Sequence, residues 1–168
     1  MSRAGLEIAI RQIEFARGYT QQLLADLQPA EWWQQPAEGV SHIAWQVGHL
    51  AMAQYALTML RIRGKEPDDR PIISNDFFRL FQKGSVPRVD PTGYPTIDEI
   101  RQVLDRVHQQ ALRELAGYQD QDLEAKLPEP HAVFDTKLGS ILFCSAHEML
   151  HAGQIGLLRR LLGKTPVR

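Results

Sequence analysis

His147 and His151 stand four residues apart in the most apolar stretch of the chain, Leu138 to Leu162. On a helix that spacing stacks two side chains on one face, about 5–6 Å apart at Cβ, near enough for two imidazoles to share one metal ion. Without a metal, two neutral imidazoles in an apolar core each need a hydrogen-bond partner. His147 to His151 also spell the H-E-x-x-H pattern of zinc proteases, with Glu148 in the general-base position. That reading lacks a third ligand downstream. The 17 residues from Ala152 to Arg168 contain no Asp, Glu or His, and Gln154 stands where the longer protease motif has glycine. Glu148 projects about 100° around the helix from His147, which makes it a neighbour of the pair or a surface residue rather than a ligand.

A third ligand has to come from upstream. His49, in the run Trp45-Gln46-Val47-Gly48-His49-Leu50, is the best candidate, because Gly48 removes side-chain bulk where another helix would approach. The alternative is a packed histidine bonded to a neighbour. His42 and His108 read as packed or surface histidines, whereas His131 follows Pro130 in a loop from which it could approach a site. Trp45, Met52, Cys144 and Gln154 fall within one helical turn of the three histidines. Trp45 and Met52 either line a cavity or pack as core. Gln154 is suited to receive the second ring N–H of a metal-bound histidine, and Cys144 reads as a small buried hydrophobe. Arg159 and Arg160 read as helix C-terminal caps. Three neutral imidazoles would leave one divalent ion with open positions, as in catalytic sites, and they suit zinc, nickel or iron(II).

The elements that must position these residues follow from the prolines. Five of the ten lie between Pro67 and Pro95, and none falls within 41–64, 96–127 or 138–165. The proline-free blocks are where helices can form. An apolar stripe predicts a first helix over about Ser2 to Leu27. A second is predicted from an N-cap at Ser41 to Gly64, and a third opens with the capping box Thr96-Ile97-Asp98-Glu99. A fourth is expected from near Ser140 to Gly163. The expected fold is an all-α four-helix bundle forming a single domain over residues 1–168, with a long crossover of about 30 residues between helices two and three. Within that crossover Phe77, Phe78, Leu80 and Phe81 should dock as a short helical turn, as a cover over the open end of the bundle.

Composition narrows the function classes. Nineteen basic and twenty acidic side chains give a formal net charge of −1, without the basic excess of a nucleic-acid binder. No stretch reaches the roughly 18 apolar residues of a membrane span, and the N-terminal charges do not fit a secretory signal. Cys144 is the only cysteine. A soluble cytoplasmic protein is expected, with no membrane or nucleic-acid partner; a homodimer through exposed apolar faces is compatible with its size.

The run Ser-His-Ile-Ala-Trp-Gln-Val-Gly-His-Leu at 41–50 is followed about a hundred residues later by Ala-His-Glu-Met-Leu-His-Ala-Gly-Gln-Ile-Gly-Leu-Leu-Arg-Arg. Together with Leu-Gln-Pro-x-Glu-Trp at 27–32, these runs resemble the DinB-like (YfiT-like) metal-binding four-helix bundles. The resemblance implies one divalent ion held by His49, His147 and His151. Members of that family include thiol-dependent transferases and isomerases that use bacterial low-molecular-weight thiols, so it also implies a small thiol and a small electrophile as substrates. A metal-water hydrolase and a non-catalytic, stress-related metal-binding bundle are the competing readings. A polar-lined pocket reaching the metal would favour an enzyme.

Overall fold

The computed structural model describes residues 3–167 and is all-α, with no strand among the described residues. Helix α1 spans Ala4–Leu24. Leu6, Ile13, Ala16 and Leu23 of its stripe are buried; Ser2, the expected start, lies outside the described residues. Helix α2 (Ile43–Tyr55) continues through a π-helical turn (Ala56–Leu60) into one more helical turn, α3 (Arg61–Arg63). It stops at Gly64, whose φ of 87° is a backbone state that favours glycine. Helices α4 (Asn75–Phe81), α5 (Ile97–Leu115), α6 (Asp120–Leu123) and α7 (Lys137–Leu161) follow. Helix α1 packs chiefly on α7 and α2 on α5, while contacts between α2 and α7 join the two pairs.

Two helix starts differ from the sequence reading. Helix α2 is capped by His42 rather than Ser41: the His42 Nδ1 accepts the Trp45 backbone N–H at 3.1 Å. An imidazole can do this only when neutral, and burial holds His42 down to about 4. Helix α7 begins at Lys137, three residues before Ser140, because Thr136 accepts the Gly139 N–H and caps it. The capping box of α5 forms as expected, with Thr96 N–H donating to Glu99 and Glu99 N–H to the Thr96 hydroxyl. Helix α2 is buried on almost its whole circumference, so its sequence shows little periodicity.

The crossover residues Phe77 and Phe81 are core rather than a cover. Both are buried against α2, with Phe78 half-buried against Tyr55. Arg159 does more than cap its own helix. It is buried, pairs with Asp26 and donates to the Leu23 carbonyl at 2.6 Å, tying the C-terminal ends of α1 and α7 together.

Between α1 and α7 lies a charged pair cut off from solvent. Arg17 Nε donates to Glu148 Oε1 at 2.9 Å, and both side chains are 2 % exposed. The remaining Arg17 donors reach Gln54 Oε1 and the Leu104 carbonyl, and the Gln54 amide lies 3.1 Å from His108 Nδ1. Glu148 is therefore neither a surface residue nor a neighbour of the histidine pair. Breaking such a pair strands a buried charge. Glu148→Ala is expected to cost about 3–5 kcal/mol in urea unfolding, while the folded fraction retains its metal affinity. Loss of metal affinity at unchanged stability would return Glu148 to the site.

Candidate metal centre

Helix α2 carries His49 toward the face of α7 that bears His147 and His151. One ligand nitrogen from each of the three lies within 4.8 Å of the others. Ring centroids are 4.6 Å apart for His147–His151 and His49–His151, and 5.3 Å for His49–His147. His49 is buried, while the other two are partly exposed.

The rings are held from behind. His49 Nδ1 donates to the Phe81 carbonyl at 2.7 Å, and His151 Nδ1 to Gln46 Oε1 at 2.5 Å. Both partners are acceptors, so each Nδ1 carries the proton and Nε2 is left as the unprotonated, ligating nitrogen. Gln46 is oriented in turn by donating to Gln154 Oε1 at 2.7 Å. Gln154 thus acts at one remove, from an exposed position, and the residue that takes the histidine N–H is Gln46. The signal for it was available: Gln46 lies three residues before His49 on the same helix face. Nothing in the sequence pointed to the Phe81 carbonyl.

Its reach depends on Gly48. A Cβ at position 48 would lie 2.4 Å from the Phe81 ring, so only glycine lets α4 settle close enough to place that carbonyl on His49. Trp45 stacks on the open face of His49, 4.8 Å away and within 11° of parallel, and its indole N–H donates to Ser85.

Burial pushes all three histidines below the usual imidazole range. His147 is held at about 4 and His151 at about 3, each also disfavoured by its histidine neighbours. His49 is lowered by burial against a smaller opposing effect of the Phe81 bond. At neutral pH the cluster therefore offers three neutral nitrogens to a cation. Bonds of about 2.0–2.1 Å in a tetrahedral site would set them roughly 3.3 Å apart. A closing of at most about 1.5 Å is needed. The donor set fits one divalent ion.

A cavity of about 420 Å³ opens onto the cluster. Trp45, His49, Met52, His147 and His151 line it, as does His131, which the sequence placed in a loop of undecided role. Ala53, Ala56, Leu57 and Phe143 complete the apolar walls, and Arg61, Lys83 and Gly84 the rim. The crossover thus contributes Lys83 and Gly84 to the cavity, not its phenylalanines. His42, His108, Glu148 and Cys144 lie elsewhere. Cys144 is buried and its thiol is pushed up by burial, so it supplies no nucleophile.

Residues 12–155 match the family model described as the DinB superfamily. No curated protein matches the chain.

His49→Ala is expected to abolish the binding of about one divalent ion per chain. Gly48→Ala, by dislodging the Phe81 carbonyl, should weaken it about 10–100-fold in chelator competition; unchanged affinity would show that the carbonyl does not orient His49. The lowered histidines also set a pH dependence. Unfolded, they titrate near 6.5; folded, His42, His108 and His147 titrate near 4 and His151 near 3. Between these limits the unfolded chain binds more protons, so stability is full above about 6.5 and is lost as pH falls toward 4. The urea midpoint of metal-free protein should drop between pH 7.5 and 5; a flat profile there would contradict the burial of these rings.

Proposed function

The chain belongs to the DinB superfamily, and from that premise we propose that it is a divalent-metal-dependent enzyme joining a small thiol to a small electrophile. The observation that carries the reading is the 420 Å³ cavity reaching three neutral imidazoles, two of them fixed from behind. The cavity is open, as an enzyme requires, although its walls are largely apolar rather than polar; a sealed apolar site would have favoured a protein that only stores or senses the ion. When bound, a divalent ion with open positions would favour the thiolate over the thiol, which is otherwise only a few per cent ionised near pH 7.

The chain's own residues then have distinct tasks. His49, His147 and His151 hold the ion without neutralising it. Trp45, Met52, Ala53, Ala56, Leu57 and Phe143 line the cavity with largely apolar surface, which lowers the local dielectric and strengthens charge interactions inside. No carboxylate lines the cavity to serve as a general base, and Glu148, the one suggested by the H-E-x-x-H spelling, is held by Arg17. Thiol chemistry needs the sulfur ionised by the metal but no further base, so the lining is compatible with it. Zinc, nickel and iron(II) all suit the ligand set.

The test uses cobalt(II)-substituted protein. Adding a small thiol is expected to produce a sulfur-to-metal charge-transfer band in the near ultraviolet, lost in His49→Ala. Absence of the band with a broad thiol panel, together with ester hydrolysis following an ionisation near pH 7, would replace the transferase with the hydrolase.

A further inference from the structure

Among the described residues, the cations that line the cavity form no ion pair. Arg17, Arg63 and Arg159, all largely buried, each meet a carboxylate: Glu148, Asp69 with Glu114, and Asp26. Arg61 is half-buried at the rim, yet its contacts are the Glu129 carbonyl at 3.4 Å and the Phe134 ring at 5.9 Å. Among the described residues no carboxylate pairs with Arg61 or Lys83, and the cavity lining contains no Asp or Glu.

Arg61 is brought there by the π-helical turn. Continuing from His49 at 100° per residue, an unbroken α-helix would present position 60 to the cavity and turn position 61 roughly 120° away. The wider turn at Ala56–Leu60 sets the helix back by about one residue. Arg61 then follows Met52, Ala53, Ala56 and Leu57 along the cavity wall, while Leu60 faces a different cavity beside Tyr55 and Lys65. A π turn inserted into an α-helix is uncommon and is enriched at functional sites. Here it exchanges a leucine for an arginine.

The second wall is aromatic. His147 neighbours Phe143 at 5.9 Å, Phe143 neighbours His131 at 5.4 Å, and His131 stacks on Phe134, the ring beneath Arg61. The cavity therefore runs from the three histidines, past an apolar middle, to the Arg61 guanidinium, while Lys83 lines it two residues beyond the Phe81 carbonyl that meets His49. With its side chain leaning back along the helix, the Arg61 guanidinium would lie roughly 10 Å from the histidines.

Resting on the metal-thiol reading above, we propose that one substrate is a small amphipathic acid: a head that reaches the metal, an apolar spacer, and a terminal carboxylate taken by Arg61, with Lys83 adding positive charge at the mouth. A guanidinium matches a carboxylate through two parallel N–H donors, and an ammonium at an exposed mouth guides the anion inward. The same chemistry could be carried by the thiol or by the electrophile, and the experiment separates the two.

Calorimetry on zinc-loaded protein would compare 8-mercaptooctanoate with its neutral amide, and 3-mercaptopropionate with its own. The long acid is expected to bind about tenfold or more tightly than its amide, and the short acid, which cannot span the cavity, should show little preference. Arg61→Gln with Lys83→Gln should equalise the long pair by weakening the acid alone, with metal content and melting temperature unchanged. Lys83→Gln by itself, at an exposed position, should give part of that loss and guards against a folding defect at Arg61. Equal binding of long acid and amide to the native protein, or a preference that survives both substitutions, would overturn the subsite and leave thiol binding intact. If no thiol binds, the thiol reading fails and sulfur-free suberate against its diamide decides the subsite. A preference for suberate lost in the double variant shows that the carboxylate belongs to a sulfur-free substrate; no preference overturns the proposal.

Discussion

The Phe81 ring fills the space in which any residue but glycine at position 48 would carry its side chain. This close approach of α4 to α2 is the contact on which the centre depends, because it delivers a backbone carbonyl to His49 Nδ1. A carbonyl cannot donate, so it fixes the tautomer as well as the ring angle. Packing and electronic state are thereby set by one steric fact. The other histidine held from behind is treated differently: His151 relies on the Gln46 side chain, itself held by Gln154. One ring is braced by main chain that moves only if a helix moves, the other by two amides whose outer member is exposed.

Charge is distributed so that the interior stays compatible with a cation. The one buried carboxylate near the histidines in sequence, Glu148, is spent on Arg17, about 100° around α7 from His147. The pair is satisfied further by Gln54 and Leu104, which is the condition under which buried ions are tolerated. The cavity side of α7 is left with imidazoles only. Burial, reinforced by the neighbouring imidazoles, keeps these neutral, so protons do not compete with a metal at physiological pH. Five consecutive residues thus serve two sites on adjoining faces of one helix.

The helices were legible wherever the pattern was local. The capping box at Thr96, the stripe of α5 and the glycines closing α3 and α7 all follow from neighbours a few residues apart. The start of α2 was misjudged because an imidazole serves as a cap only when buried, and burial is a property of the whole fold. The π turn left no mark in Ala56–Leu60, whose residues suit an ordinary α-helix. At the centre, the three histidines were readable from spacing and the family resemblance. Gln46 was overlooked although it lies one turn before His49, and the Phe81 carbonyl was invisible since every residue has one. Arg61 was hidden for the same reason as the π turn: its direction depends on a phase shift that no periodicity count includes.

The Gln46–His151 bond joins residues 105 apart in the chain. During synthesis from the N-terminus, α1, α2 and α5 exist before any part of the α7 pair has been made. A growing chain therefore presents His49 for a long interval as a lone imidazole, and the full set appears in one event when α7 docks. An ion caught at that moment closes a loop of about a hundred residues, acting as a late clasp between the first and last parts of the fold to be made. Binding of an ion by all three histidines would then be coupled to the docking of α7, and a chain ending before His151 could not complete the set.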